Sequence, residues 1–350
     1  MDVLFLRFRG FVEELVEPLF RFEMKAGSWY GKGDLVDLAL HTALMNSYAE
    51  GVAETLRERR RMPTSETLLD YIKTMSVGDV LGAAEAQIVR CVQALREKDI
   101  TLKRAALAFD WHDRPYYGEP AVEGVVGVKP KRGSSYAFSF LTVSIITSGR
   151  RLTLCIVPLT GRRGLPKLVL GLLQHIRRYV NGVAYVAFDN GFQDSELLKG
   201  LLGQGIPFIL PVRKKVRLRK RWRWMRYAHH FPYRTQGIEV DVVEATDAKG
   251  WRHFLATNLT ATPRKVLKLY KRRWGVETSY RKIGEFLPKT TSRNHVVRVF
   301  YFTLAVLLYN VWVILKAHAK EHLKVIKLKL LCLWSLYTNI TPLGEDLPAG

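Results

Sequence analysis

Residues 105–110 read Ala-Ala-Leu-Ala-Phe-Asp and residues 184–189 read Ala-Tyr-Val-Ala-Phe-Asp. Each is a short apolar run of strand-forming character closed by an acid. In an open α/β sheet ligands gather at the carboxyl ends of strands, so two such runs that become parallel neighbours bring Asp110 and Asp189 side by side. Carboxylates that close repel unless a proton or a cation lies between them, and a hard oxygen-seeking ion such as Mg²⁺ or Mn²⁺ is the usual partner. For either Asp alone the plain alternative is a turn or cap residue at a strand end.

Outward from these runs, the texture changes at about residue 100. Before it, 34–57, 64–72 and 77–95 carry apolar residues at helical spacing, which predicts a small helical domain over 1–100. After it come strands at 105–109, 137–147, 152–158, 183–188 and 207–212, with amphipathic helices at 165–179 and 195–202. The order β-β-β-α-β-α-β, hairpins first and helical crossovers later, fits a ribonuclease-H-like fold. The predicted fold class is therefore α/β: a mixed sheet flanked by helices, with an N-terminal helical domain and a β-rich insertion. The core occupies 101–212 and 256–318, the insertion 213–255 and a helical tail 319–350. An alternating strand is expected at 238–243 and another at 254–258. Thr262 and Pro263 then open one long helix to about Phe286.

That helix supplies a third acid. Tyr270, Arg273, Glu277 and Arg281 are three, four and four residues apart and share one face of a continuous helix. A salt-bridge ladder on a solvated face explains the pattern without function. Alternatively, a helix returning from the insertion carries Glu277 to the two Asp residues, and three carboxylates hold two ions about 4 Å apart for in-line phosphoryl transfer.

Tyr270-x2-Arg273-x3-Glu277 resembles the opening of the Tyr-Arg-Glu-Lys signature of DDE transposases of insertion sequences. Asp189-Asn-Gly-Phe192, Thr257-Asn258-Leu259 and Leu308-Tyr309-Asn310 are similar to that group as well, over roughly 105–316. The signature's Lys would fall at Gly284, with Arg281 and Lys282 nearby. The resemblance implies an enzyme that cuts transposon ends and joins them to target DNA. It implies Asp110, Asp189 and Glu277 as ligands of two Mg²⁺ or Mn²⁺ ions, and Tyr270 and Arg273 as contacts to end DNA. Asp113 is a weaker substitute for Asp110. Holding two ends implies a homodimer in the DNA complex.

Composition agrees with a polyanionic partner. Lys and Arg outnumber Asp and Glu 55 to 32, giving +23, and this excess is spread along the chain. Its densest run, 213–226, sets Arg213, Lys214, Lys215, Arg217 and Arg219 beside Trp222 and Trp224, so that cations meet phosphates while an indole stacks on or wedges a base. A β-hairpin with a solvated basic face is the plainer reading. Three widely separated cysteines give neither a disulfide framework nor a zinc site, and with the charged start of the chain they predict a cytoplasmic protein. The uncharged stretch 299–315 suits a buried helix better than a membrane span. No nucleotide-binding P-loop is present. A metal nuclease without strand transfer, and a DNA-binding derivative lacking activity, are the rival functions.

Overall fold

The structure, a computed structural model, describes residues 12, 14–58, 61–96, 104–131, 133–147, 151–161, 163–212, 230–235, 238–318 and 323–338. The strands are β1 (Ala105–Tyr116), β2 (Val125–Lys131), β3 (Ser134–Ile145), β4 (Thr153–Pro158), β5 (Val183–Ala187), β6 (Phe208–Pro211), β7 (His230–Thr235), β8 (Ile238–Thr246) and β9 (Arg252–Thr257). Among the described residues they form one sheet in the order β2-β3-β1-β5-β6-β9-β8-β7, with β4 also pairing β3.

The two acid-closed runs are parallel neighbours. β1 pairs β5 up to Ala108↔Ala187, and β5 pairs β6 in parallel beyond it. On its other side β1 pairs β3 antiparallel from Leu107↔Ile145 to Tyr116↔Tyr136. This longer partner carries β1 past Phe109, where the sequence pattern ends it. Asp110 is therefore inside a strand, just beyond the last residue paired to β5. β2 was not expected from sequence, because Gly127 and Pro130 break its apolar pattern. The insertion continues the sheet through the antiparallel β6–β9 pair. β8 shows why it lies there: Ile238, Val240 and Val242 are buried, while Glu239 and Asp241 alternate outward.

Helices cover both faces. α1 (Lys32–Met45), α2 (Ala49–Arg57), α3 (Ser65–Lys73) and α4 (Val77–Arg96) precede the sheet. The periodic stretch 34–57 is two helices, not one, because Asn46 takes a left-handed φ of 52° between them. α5 (Leu165–Ile176) and α6 (Ser195–Gly203) cross between parallel strands, and α6 is capped by Asp194. α7 (Pro263–Lys271), α8 (Gly275–Gly284), α9 (His295–His318) and α10 (Val325–Thr338) follow β9.

The expected single helix from Thr262 to Phe286 is thus corrected to α7 and α8, joined by a 3-10 turn at Arg272–Trp274. Tightened turns of this kind re-aim side chains within a helical run. Thr262 precedes α7 with an extended backbone, as a cap residue does, and Pro263 fills the first turn, but the Thr262 side chain makes no capping bond.

α9 carries the apolar stretch 299–315. It is long and apolar enough to cross a membrane, yet 83% of that window is buried, packed along α4 and β4. Buried Asn310 replaces a lost backbone partner: its side chain accepts from Thr153 N at 3.0 Å and donates to Thr153 O at 2.8 Å, fixing α9 to the start of β4.

Period-two alternation decides which face each strand residue serves. Leu107, Phe109, Val186 and Phe188 join the larger core with α4 and α9. Ala106, Ala108, Tyr185 and Ala187 join a smaller cluster with Val266, Leu267 and Tyr270 of α7 and Val276 of α8. Asp110, two residues after Ala108, points to the α7–α8 side.

Candidate active site

Asp110 is 6% exposed, with Trp111 N donating to its Oδ1 at 3.1 Å. Asp189 follows β5 and opens the turn Asn190–Phe192, where Asn190 N donates to its Oδ1 at 2.7 Å. The Asn-Gly-Phe that follows has a structural reason. The Trp111 and Phe192 rings stack with centroids 3.9 Å apart, and a β-carbon on Gly191 would stand 2.6 Å from the Trp111 ring. The strand of Asp110 and the turn of Asp189 are thereby locked to each other.

One cation joins the two acids. Arg273, in the 3-10 turn and 5% exposed, places Nη1 3.4 Å from Asp110 Oδ2 and Nη2 3.7 Å from Asp189 Oδ1. Its Nε is buried without a hydrogen-bond partner. Tyr270 is buried as well, with the Arg273 guanidinium 5.8 Å from its ring centre. Glu277, one turn into α8, is exposed, and its charge reaches Asp110. Burial pushes the Asp110 carboxyl up to about 7; Asp189 and Glu277 add to the rise, and Arg273 opposes it. The tightened turn matters here. On a continuous helix Arg273 and Glu277 share a face, whereas the structure buries the first and exposes the second.

Other predicted residues have different surroundings. Arg281 is exposed, with Nη2 3.4 Å from Thr278 Oγ1, and Lys282 pairs with Glu285 at 2.7 Å. Asp113 accepts from Ser139 Oγ at 2.6 Å. Gly284, at the position of the signature lysine, gives its carbonyl to Asn46 Nδ2 at 2.9 Å, which ties the α1–α2 corner to the end of α8. The Thr257-Asn258 pair is structural: Thr257 Oγ1 donates to Phe208 O at 2.6 Å, and Asn258 bonds both Phe208 N and Ile206 O. Arg213, Lys214, Lys215, Arg217, Arg219, Trp222 and Trp224 lie outside the described residues.

Sequence reasoning missed Tyr280. It is three residues after Glu277, half-buried, hydrogen-bonded to Thr142 at 2.7 Å and stacked on His112, with desolvation and the charge of Asp110 holding its phenol protonated. Its spacing from Glu277 was the available signal.

Among the described residues, no three His, Cys, Asp or Glu side chains stand close enough to hold an ion as they are placed. The donor chemistry nonetheless fits a hard cation: two carboxylates converge on one positive charge, and the charge of a third acid raises the pKa of the more buried of them.

A family profile described as "Transposase DDE domain" matches residues 102–311. The chain belongs to that family. The matched span starts just before β1 and ends within α9, so it contains all three acids. This chain is a DNA transposase, and enzymes of the family depend on divalent metal. Among solved structures it is similar to piggyBac transposase in a synaptic complex with hairpin DNA, at 15% identity and a TM-score of 0.56, over 99% of this chain and 82% of that one. At that identity the likeness concerns the fold, and it extends beyond the family's span to the N-terminal helices. No curated protein matches the chain.

Proposed function

We propose that Asp110, Asp189 and Glu277 hold the divalent ions with which this transposase cuts the ends of a mobile element and joins the freed 3′ ends to target DNA. The observation that carries this is the convergence of Asp110 and Asp189 on one guanidinium, with the Glu277 charge felt at Asp110. Bound between these acids, two Mg²⁺ or Mn²⁺ ions would supply activation of the attacking oxygen and stabilisation of the leaving one.

The chain's own residues do the positioning. The Trp111–Phe192 stack sets the two Asp residues at fixed separation, and Arg273 offsets their charge until metal arrives. Exposed Arg281 and half-buried Lys282 of α8 are the described cations assigned to DNA phosphates, and the sequence of 213–226 adds further positive charge for the same partner. The N-terminal helices and the basic insertion are the parts assigned to end recognition. The similar structure is a synaptic complex with hairpin DNA, which supports an assembly of two copies around two ends.

The test is Asp189→Asn in a paired-end assay. The expected result is loss of Mg²⁺-dependent cleavage with DNA binding retained within a few-fold; unchanged cleavage overturns the proposal. Wild-type cleavage without joining would instead identify a nuclease of the same fold.

A further inference from the structure

A cleft of about 810 Å³ opens between α8, the second half of α9 and the start of α10. Its volume lies within the range, about 300–1,000 Å³, of clefts that bury a small ligand. It is strongly positive. Among the described residues, Arg151, Lys282, Lys316 and Lys324 line it against a single acid, Glu285. Glu285 is already engaged: its carboxylate pairs with Lys282 at 2.7 Å and Lys329 donates to its carbonyl. Among the described residues Arg151, Lys316 and Lys324 have no acidic partner.

The floor is rigid and partly apolar. Trp312 is held by its Nε1 donating to Leu323 O at 3.0 Å, and the Lys316 ammonium stands 5.1 Å from its ring centre. Tyr309 donates to Arg151 O at 2.7 Å, fixing the backbone of Arg151 to α9. The Arg151 side chain lies directly on the first turn of α8: a β-carbon on Gly275 would fall 1.7 Å from its Nε. Gly275 is two residues before Glu277, and Thr278, on the cleft wall, is one residue after it. The cleft wall and Glu277 therefore lie on different faces of one turn of α8, as side chains one or two residues apart do.

We infer that this cleft receives the sugar-phosphate backbone of a single DNA strand that passes around α8 from the face of Glu277, with Arg151, Lys316 and Lys324 on its phosphates. The inference rests on the proposed cleavage chemistry for its direction of entry. Charge selects the ligand: a strand carries one negative charge per nucleotide, and each phosphate neutralised releases a counterion. Size selects a single strand, since a volume of about 810 Å³ is that of a small-ligand cleft and too little for a duplex.

The experiment compares wild type with the double variant Lys316→Gln/Lys324→Gln. The substrates are a duplex element end with a short single-stranded extension at the cut, and the same duplex without it. Affinity is measured across a salt series. For the extended substrate, the variant binds roughly tenfold more weakly at low salt and its salt slope falls by about 1.4, or about 0.7 for each single-strand phosphate lost. For the blunt duplex, the slopes of the two proteins coincide. Equal slopes on the extended substrate, or an equal loss on both, overturn the cleft as a strand site. Mg²⁺-dependent cleavage by wild type is scored in parallel. Its absence counts against the carboxylate proposal, while the slope comparison still decides the cleft.

Discussion

Asp110 and Asp247 are both acids with nearly buried side chains facing cations of the α7–α8 segment, and they end in opposite states. Asp247 receives Lys249 N at 3.0 Å and Trp251 N at 2.9 Å on one oxygen, and His253 Nε2 and Lys271 Nζ, each at 3.2 Å, on the other. Burial raises its pKa, but these donors outweigh burial and hold it well below the usual carboxylate range. Asp110 has one backbone donor and one ion pair at 3.4 Å, beside two further acids, and is pushed up to about 7. The first carboxylate is satisfied and fastens the β8–β9 turn to α7. The second has only two donors, and on the proposed reading a bound cation supplies what they do not.

The largest contrast should come from neutralising each acid in turn. Asp110→Asn is expected to lower Mg²⁺-dependent cleavage by at least about 10³-fold, since metal at such a site stabilises the transition state by several kcal/mol. Its melting temperature should stay near that of wild type, because the metal-free fold already disfavours the charged form. Asp247→Asn should do the reverse, changing cleavage per folded molecule little and lowering the melting temperature by several degrees. Equal losses of stability in the two variants would erase the distinction.

The pH dependence of Asp247 has a definite sign. Its folded pKa is depressed, so its contribution is complete above the unfolded value of about 3.9 and is lost as pH falls below that toward the folded one. The melting gap between wild type and Asp247→Asn should be full at pH 6 and shrink on acidification below about pH 4. A gap that is constant with pH would show that charge is not its source.

The smallest expected effect concerns Arg273. Because its guanidinium competes for the same oxygens, Arg273→Gln should tighten Mn²⁺ binding to the DNA-free protein by several-fold, as read by paramagnetic resonance titration. Weaker binding would mean that Arg273 assembles the site without competing for it.

Much of the fold was legible in sequence because local patterns carried it. The runs at 105–110 and 184–189 are apolar and end in acids, and the hairpin-then-crossover order followed from turn residues and amphipathic helices. What escaped depends on partners distant in sequence. β1 runs on to Tyr116 only because β3 lies beside it, and β2 forms despite Gly127 and Pro130 because β3 offers a free edge. The separation of α7 from α8 accompanies the burial of Arg273 between two acids that are 163 and 84 residues away in sequence. Spacing alone therefore displayed Arg273 as one rung of a surface ladder. Likewise nothing local to Gly284 shows that its carbonyl is taken by Asn46.

The most direct test of the central claim replaces Mg²⁺ with Fe²⁺ and lets locally generated hydroxyl radicals cut the polypeptide beside the bound ion. The cuts are predicted to cluster around Asp110, Asp189 and Glu277, and to fade together as Mg²⁺ is added back. Cuts confined to other parts of the chain, or cuts at these acids that Mg²⁺ does not suppress, would contradict a shared metal site built from the three.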